Sequence, residues 1–231
     1  MKKRVIMIGL TAAAFAAASI GTGYSLFGGA SYFLPGNASL RAVQLVADIS
    51  NTSTTDNYSG VDFAVPAGMK FSDLQTLSTD YDFTSGSCAG GSPRFQVNVQ
   101  DPNTNTVKNI FVYIGPPPSY TGCPANVWAN TGNLVAPANL IDTSQLTGGT
   151  FYDLVATAQG KYGTYQVVGI QVVADTFGAA QTVLVDNVAI NDGIYNFEPD
   201  KDACKNGGWL SFTSAPGPFK NQGACVSYFV K

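Results

Sequence analysis

Short apolar runs separated by turn-rich segments make up most of the chain. The run "RFQVNVQ" over 94–100 alternates Phe95, Val97 and Val99 with polar residues, which predicts a half-buried β-strand. The run "NIFVYIG" over 109–115 is continuously apolar and is followed by three prolines, which predicts a strand covered on both faces. Similar strand-like runs lie at 43–50, 60–68, 164–175 and 181–191. The pattern therefore predicts a mainly β fold.

One segment has helical periodicity instead. In "GTFYDLVATAQGKYG", the residues Phe151, Leu154, Val155 and Ala158 recur at helical spacing, and Gly160 is a usual stop signal. We expect a short helix that ends at Gly160 and crosses the end of a sheet. Because no solenoid-type repeat is present, two antiparallel sheets packed face to face are the natural way to cover so many short strands. This sandwich is predicted over 40–193.

The first 30 residues have the pattern of a secretory signal peptide. Lys2, Lys3 and Arg4 precede an apolar, alanine-rich run and then small residues. Cleavage is expected after Ala18 or Ala30; a retained membrane anchor is the competing interpretation, although the run is at the short end for a span.

Charge then narrows the class of partner. Three of the 12 basic residues lie in the leader, so the rest of the chain carries 9 against 15 acidic residues, a net charge of about −6. Nucleic acids and anionic membranes need clustered Lys and Arg, and the remaining ones are scattered. We therefore expect neither nucleic acid nor, after leader cleavage, a membrane as partner.

The four cysteines are expected to form disulfides in an exported protein. Cys88 and Cys123 lie in two Gly/Pro/Ser-rich loops, whereas Cys204 and Cys225 share the tail. Of the three possible connectivities, this placement favours Cys88 with Cys123 and Cys204 with Cys225. The tail, 199–231, is then a disulfide-linked helical hairpin with Trp209 and Phe212 between its halves, although a strand is open for its second half.

The order "VDFAVPAGMKFSDLQTLSTDYDF", "CAGGSPRFQVNV", "NIFVYIGPPPSYTGCPANVWANTGNL" and "TVLVDNVAIN" resembles secreted bacterial jelly-roll sandwiches of the galactose-binding or carbohydrate-binding-module type. The tail "CKNGGW…FKNQGACVSYF" resembles a cysteine-paired segment at the end of other exported bacterial proteins. The resemblance implies an antiparallel jelly-roll β-sandwich located outside the cell or on its surface.

The residue composition argues against several kinds of catalytic and metal-binding site. The chain has no histidine, which excludes Ser-His-Asp and Cys-His nucleophilic sites as well as histidine-ligated metal sites. Its single glutamate is Glu198, so a glycosidase would have to use two aspartates, and no spaced motif supports such a pair. We assign no catalytic residue and expect a protein that is not an enzyme.

Asp186 is a candidate calcium ligand. It is placed by strand periodicity on the face of Leu184, Val188 and Ile190, where an unpaired charge would be costly. The resemblance implies that an aspartate in this last strand can ligate calcium. The alternative is that Asp186 accepts backbone N–H groups where the strand leaves the sheet.

The candidate ligand-binding residues cluster in one proline-rich region. Aromatic rings stack on sugar rings, and amides bind hydroxyl groups. The predicted site residues are Tyr113, Tyr120, Asn126, Trp128 and Asn130. A second aromatic patch of Tyr58, Tyr81 and Phe83 is also open, as is the alternative that these rings only fill the ends of the sandwich, Trp128 by packing on the Cys88–Cys123 disulfide.

Two functions follow from this pattern. The first is a secreted, non-catalytic sandwich that binds a glycan or cell-wall polysaccharide. The second is a structural protein of the cell surface or extracellular matrix that associates with copies of itself.

Overall fold

Two antiparallel β-sheets pack around the apolar core in a computed structural model of the chain, which describes residues 23–48, 57–175, 180–213 and 215–230. Strands are numbered in chain order. In spatial order, sheet A contains β1 (Tyr24–Gly28), β4 (Tyr58–Phe63), β11 (Gln166–Asp175), β6 (Arg94–Gln100) and β7 (Val107–Tyr113).

Sheet B contains β2 (Ser31–Phe33), β3 (Ala42–Ala47), β12 (Gln181–Ile190), β5 (Leu77–Ser85) and β8 (Ala129–Asn130), with β13 (Gly193–Tyr195) also paired to β12. A small ribbon pairs β9 (Leu140–Ile141) with β10 (Asp153–Leu154). All these pairings are antiparallel, so the predicted mainly β fold with antiparallel sheets is confirmed.

The two strands nearest the N-terminus extend the sheets beyond the predicted limit at residue 40. β1 pairs with β4 at one edge of sheet A, and β2 pairs with β3 at one edge of sheet B. The predicted leader, as far as Ala18, lies outside the described residues, whereas Ala30 lies in the short turn between β1 and β2. None of the helices in the described ranges is long and apolar enough to cross a bilayer.

Strand β6 follows the predicted alternation. Phe95, Val97 and Val99 are fully buried in the core, and the polar residues between them are half-buried on the opposite face. The interpretation of β7 as covered on both faces is only partly correct, because Phe111 and Tyr113 on its outer face are half-buried. β7 is the last strand of sheet A, and Phe111 forms an isolated bridge with Asp142 on its far side.

Strand β12 contains a bulge that the sequence did not predict. Its register to β5 shifts between Asp186 and Ala189, and Asn187 takes a left-handed conformation with φ of 46°. Val183 and Val185 belong to the core before the bulge, and Val188 and Ile190 after it. Asp186 therefore shares a face with Leu184, as expected, but the extra residue places it on the face opposite Val188 and Ile190, so that part of the expectation was wrong.

The predicted helix is confirmed as α1 (Val155–Tyr162), with Val155 and Ala158 buried. Its predicted end at Gly160 was wrong, because the helix continues through that glycine and ends at Tyr162. The Tyr162 side chain is buried, and its hydroxyl group donates a hydrogen bond to the Thr147 carbonyl at 3.0 Å. Burial of one more residue offsets the cost of a glycine within a helix.

Both predicted disulfides are confirmed. Cys88–Cys123 links two loops of the sandwich, and Cys204–Cys225 links the tail. The tail forms short 3-10 helices at Lys201–Cys204 and Gly208–Ser211 and the helix α2 (Gln222–Phe229), so its second half is helical. Cys204, Phe212 and Cys225 form a small buried cluster with Trp209 packed against it, as the sequence predicted.

Candidate functional site

The outer face of sheet A carries a continuous row of polar side chains across three neighbouring strands. Asp62, Gln171 and Gln96 lie directly opposite one another on β4, β11 and β6. Gln171 donates to Asp62 Oδ1, and Gln96 Nε2 donates to Gln171 Oε1 at 2.9 Å. We call these three residues, together with Arg94 and Asp175, the polar row.

Arg94 fixes the end of the polar row. Its Nη2 donates to Gln96 Oε1 at 3.0 Å and to Asp175 Oδ2 at 2.7 Å, and its Nη1 donates to the Gly91 carbonyl at 3.2 Å. The guanidinium also lies 4.9 Å from the centre of the Phe111 ring. Because Nη1, Nη2 and the face of the planar group each have a partner, the guanidinium is held in one orientation.

Two aromatic rings lie at one end of the polar row and form one wall of a groove. Phe27 of β1 lies over Gly60 of β4, where any Cβ would meet its ring, and Tyr58 contacts Phe27 with ring centres 6.2 Å apart. The resulting groove has a volume of about 560 Å³. Its lining residues are Phe27, Asn57, Tyr58, Arg94, Gln96, Gln171, Val173 and Asp175.

A second depression, of about 240 Å³, continues from the groove. We call it the Phe151 pocket; its lining residues are Gly90, Gly91, Arg94, Phe111, Tyr113, Asp142, Ser144, Gln145, Phe151 and Asp175. Arg94 and Asp175 line both depressions. The ion pair is thus their common boundary.

Two aspartates therefore face the Phe151 pocket. Asp142 is buried and accepts from the Tyr113 hydroxyl at 2.5 Å and from the Ser144 backbone N–H at 2.8 Å. Asp175 accepts from the Arg94 guanidinium. Hydrogen-bond donors contact both carboxylates, and such contacts favour the ionised form. An ionised carboxylate can accept hydrogen bonds from hydroxyl groups, whereas glycoside hydrolysis requires one carboxylic acid that donates a proton.

Three of the five residues predicted to bind ligand line one pocket. Tyr113, Tyr120 and Asn130 face a depression of about 350 Å³, which we call the tyrosine pocket, and Tyr113 also separates it from the Phe151 pocket. Asn126 and Trp128 are not among the residues that line it. Asn126 is exposed in a left-handed turn, and Trp128 is half-buried.

The Asn130 side chain is hydrogen-bonded within the protein, and two rings of the second predicted patch are buried. The Asn130 amide donates to Asp80 Oδ1 at 2.6 Å and accepts from the Gly132 N–H at 2.7 Å. Tyr81 and Phe83 are buried in the core, so no exposed patch of these rings with Tyr58 exists, and that expectation was wrong.

The Tyr120 ring packs against two other tyrosine rings. The Tyr120 ring lies 4.6 Å from that of Tyr113 and is parallel to that of Tyr152 at 6.0 Å. Burial, followed by its hydrogen bond to Asp142, raises the pKa of Tyr113 well above its usual value, and burial also raises the pKa of Tyr120. The buried Tyr120 hydroxyl has no hydrogen-bond partner among the residues that the structure describes.

Asp186 lies in a separate network on sheet B. Its Oδ2 accepts from the Asn37 N–H at 2.8 Å and from the Ser39 hydroxyl at 2.5 Å, and its Oδ1 accepts from the Asn187 N–H at 2.8 Å. Asp80 lies opposite on β5, and its oxygens accept from side-chain amides of Asn37, Asn187 and Asn130.

These surroundings do not fit a calcium site. The groups that face Asp186 are N–H and O–H donors, whereas calcium needs several oxygen acceptors. In the described ranges, moreover, no three Cys, His, Asp or Glu side chains are grouped so that they could hold a metal ion. The observed contacts are those of the alternative, in which Asp186 accepts backbone N–H groups beside a bulge.

Sequence reasoning missed the polar row. The alternation of β6 marked Gln96 as outward-facing, and the same pattern held for Gln171 in "GIQVVAD", but nothing in the sequence showed that these strands are neighbours. β6 and β11 are about 70 residues apart in the chain and adjacent in the sheet.

No protein-family model matches this chain, and no curated protein matches it. Among solved structures, an exo-β-agarase matches over 80% of this chain at 11% identity and a TM-score of 0.38. The chain spans only 25% of the length of that agarase.

Two further structures are similar at this level. The carbohydrate esterase vb_24B_21 of the Shiga toxin-encoding bacteriophage phi24B matches over 75% of this chain and 90% of its own, with 16% identity and a TM-score of 0.39. The xyloglucanase domain of NopAA from Sinorhizobium fredii, in complex with cellobiose, matches over 75% and 97% of the two chains, with 16% identity and a TM-score of 0.31. Similarities this low do not assign the chain to a family.

Proposed function

We propose that this protein binds a glycan in the groove on the outer face of sheet A. The observation that carries the proposal is the polar row, which crosses three strands and begins beside two aromatic rings. Gln171 and Gln96 line the groove and are half-buried and hydrogen-bonded to each other, and Gln171 is also bonded to Asp62, so the remaining donors and acceptors of the two glutamines are held ready for a ligand.

The chemistry of this face suits a sugar. Carboxylate and carboxamide groups bind hydroxyl groups directionally, and the rings of Phe27 and Tyr58 offer apolar surface for the C–H face of a sugar ring. An apolar ligand would displace water from the remaining donors and acceptors of the polar row without replacing its hydrogen bonds, which is costly. The ligand that satisfies both parts of the groove is therefore rich in hydroxyl groups and has an apolar face.

The protein acts, in this proposal, outside the cell and without catalysis. Its two disulfides are typical of oxidising compartments. The absence of histidine and the single glutamate in the sequence leave few groups for acid-base chemistry.

A structural role at the cell surface is the second candidate. Leu210, Tyr228 and Val230 of the tail are exposed, with 63%, 43% and 62% of their surface accessible, and such residues favour self-association. A monomer by analytical ultracentrifugation at high protein concentration would argue against this role.

Retention on immobilised polysaccharides tests the glycan proposal. Gln96→Ala removes the centre of the polar row, and Gln100→Ala, on the same strand and face but outside the groove lining, is its matched control. We expect the wild type and Gln100→Ala to bind one class of polysaccharide, and Gln96→Ala to bind about tenfold more weakly, the equivalent of one hydrogen bond to a ligand hydroxyl group. Absence of wild-type binding across neutral and anionic polysaccharides would overturn the proposal.

A further inference from the structure

The groove and the Phe151 pocket lie side by side on sheet A and meet at Arg94 and Asp175. The groove is lined from β1, β4, β11 and β6, and the Phe151 pocket from β6 and β7 and the segment from Asp142 to Phe151. Their shared residues, Arg94 and Asp175, leave no other element between them. A ligand that occupies both therefore runs across the strands, approximately perpendicular to them.

The length of this surface exceeds that of one sugar. Neighbouring strands lie about 4.8 Å apart, so the distance from β1 to β7, the two ends of sheet A, is about 19 Å. A hexose ring with its linkage is roughly as long as one strand spacing of about 4.8 Å, which leaves room for roughly four rings.

Exposed aromatic rings lie at the two ends. Tyr58 begins β4 at the groove end and is 47% exposed, and Phe151 lies beyond β7 and is 62% exposed. A large apolar ring exposed to this extent on each side of a polar row fits stacking against successive sugars.

The charges select against an anionic chain. Arg94 is the only basic residue among those that line the two depressions, and it is already paired with Asp175 and packed on Phe111. Asp142 and Asp175 also line the surface, so a uronate or sulfate group there would meet carboxylates rather than an available cation.

We infer that the ligand is an uncharged polysaccharide chain, bound across the strands of sheet A over roughly four sugar units, from the Phe27–Tyr58 ring pair to Phe151. This inference rests on the proposed function of the groove. It adds the charge class of the ligand, its direction and its length.

Two measurements on the full chain test it. Affinity electrophoresis compares neutral polysaccharides (galactan, glucan, mannan and xyloglucan) with anionic ones (alginate and polygalacturonate). Titration calorimetry then uses oligosaccharides of roughly two to six units from the polysaccharide bound best, because the site should fill near four. We expect retention by a neutral polymer and an affinity that rises with length until the site is filled.

Phe151→Ala isolates the distal end of the site, and Ile194→Ala, which truncates an equally exposed apolar side chain on β13, is its control. We expect Phe151→Ala to weaken binding of the longest oligosaccharide by about tenfold and to leave the disaccharide unaffected, because one stacking contact is lost.

The outcomes separate the two proposals. If no polysaccharide is retained, the proposed function fails, and the inference fails with it. If glycan binding is observed but is tightest for alginate or polygalacturonate, or is independent of length and of Phe151, only the inference is overturned.

Discussion

Arg94 and Asp175 form an ion pair between two adjacent strands, with Nη2 and Oδ2 2.7 Å apart, at the boundary between the groove and the Phe151 pocket. Their side chains are only 14% and 25% exposed. By contrast, the Lys205–Asp202 pair of the tail, at 2.6 Å, is 55% and 58% exposed. The two pairs have nearly the same distance and differ in their access to water.

Arg94→Met therefore should destabilise the protein, and Lys205→Met should not. The first change removes the guanidinium from a partly buried carboxylate and from Gln96, and we expect the free energy of unfolding to fall by about 1–3 kcal/mol. The second breaks a pair that water screens, so no measurable change is expected. Urea denaturation measures both; equal effects of the two changes would contradict this explanation.

Gly60 allows β1 to approach β4 closely. A Cβ at this position would collide with the Phe27 ring and the Val172 carbonyl oxygen, whereas a Cβ at Gly169, on the same sheet, would lie 3.4 Å from its nearest neighbour, Asn98 Nδ2. We expect Gly60→Ala to cost about 1–3 kcal/mol of unfolding free energy by overpacking.

Gly169→Ala is the control for this prediction. Because a methyl group fits there with little adjustment, we expect a change of less than about 1 kcal/mol in either direction. Thermal denaturation with both variants is the measurement. A Gly60→Ala protein as stable as the wild type would show that Phe27 is free to leave the groove wall.

Loss of the hydroxyl group should change the unfolding free energy differently at two neighbouring tyrosines. Tyr113 donates to buried Asp142, so Tyr113→Phe leaves a carboxylate with one donor fewer and should cost about 1–3 kcal/mol. The Tyr120 hydroxyl is buried with no partner in the described part of the chain, so Tyr120→Phe should leave the unfolding free energy unchanged or raise it.

The comparison is made by chemical denaturation of the two variants at one pH. Destabilisation by Tyr120→Phe to the same extent as Tyr113→Phe would mean that its hydroxyl has a partner in solution. In that case the tyrosine pocket would contain a polar contact that its lining residues do not provide.

Asp186 should make the protein less stable as pH rises above the usual carboxyl range. Burial raises the pKa of Asp186, although Ser39 and the backbone N–H groups of Asn187 and Asn37 act in the opposite direction, and Asp80 adds to the rise. The folded state then binds a proton more tightly than the unfolded chain. Stability from this group is present below the unfolded pKa of about 3.9 and is lost as pH rises through the folded pKa.

Asp186→Asn isolates this effect, because it removes the titrating carboxyl group and keeps a side chain of nearly the same size and shape. We subtract the unfolding free energy of Asp186→Asn from that of the wild type. We expect this difference to decrease from about pH 3.5, just below the unfolded pKa, to about pH 7, roughly three units above it. An increase over the same range would show that the three donors outweigh burial.

Local patterns along the chain predicted the parts of this fold that depend on near neighbours. The alternation of Phe95, Val97 and Val99 specified which face of β6 is buried, because successive side chains of a strand point in opposite directions. The cysteine positions predicted both disulfides, and Trp209 and Phe212 were expected to pack beside Cys204–Cys225 for the same local reason.

Tertiary structure decided everything that depends on which strands are neighbours. The bulge at Asn187 moved Asp186 to the other face of β12, and an asparagine in a left-handed conformation is not recognisable from strand periodicity. Burial of Tyr162 carried α1 past Gly160, because packing outweighs the propensity of a single residue.

The groove also depends on which strands are neighbours in the sheet. Gln96 and Gln171 share a face and a hydrogen bond only because β6 and β11 pair, although the alternation of β6 marked Gln96 as an outward-facing polar residue. Period-two alternation encodes a direction for each side chain, but the register between distant strands comes from the packing of the whole core. The sequence alone therefore supplied the residue types of the site, and the folded sheet assembled them into one surface.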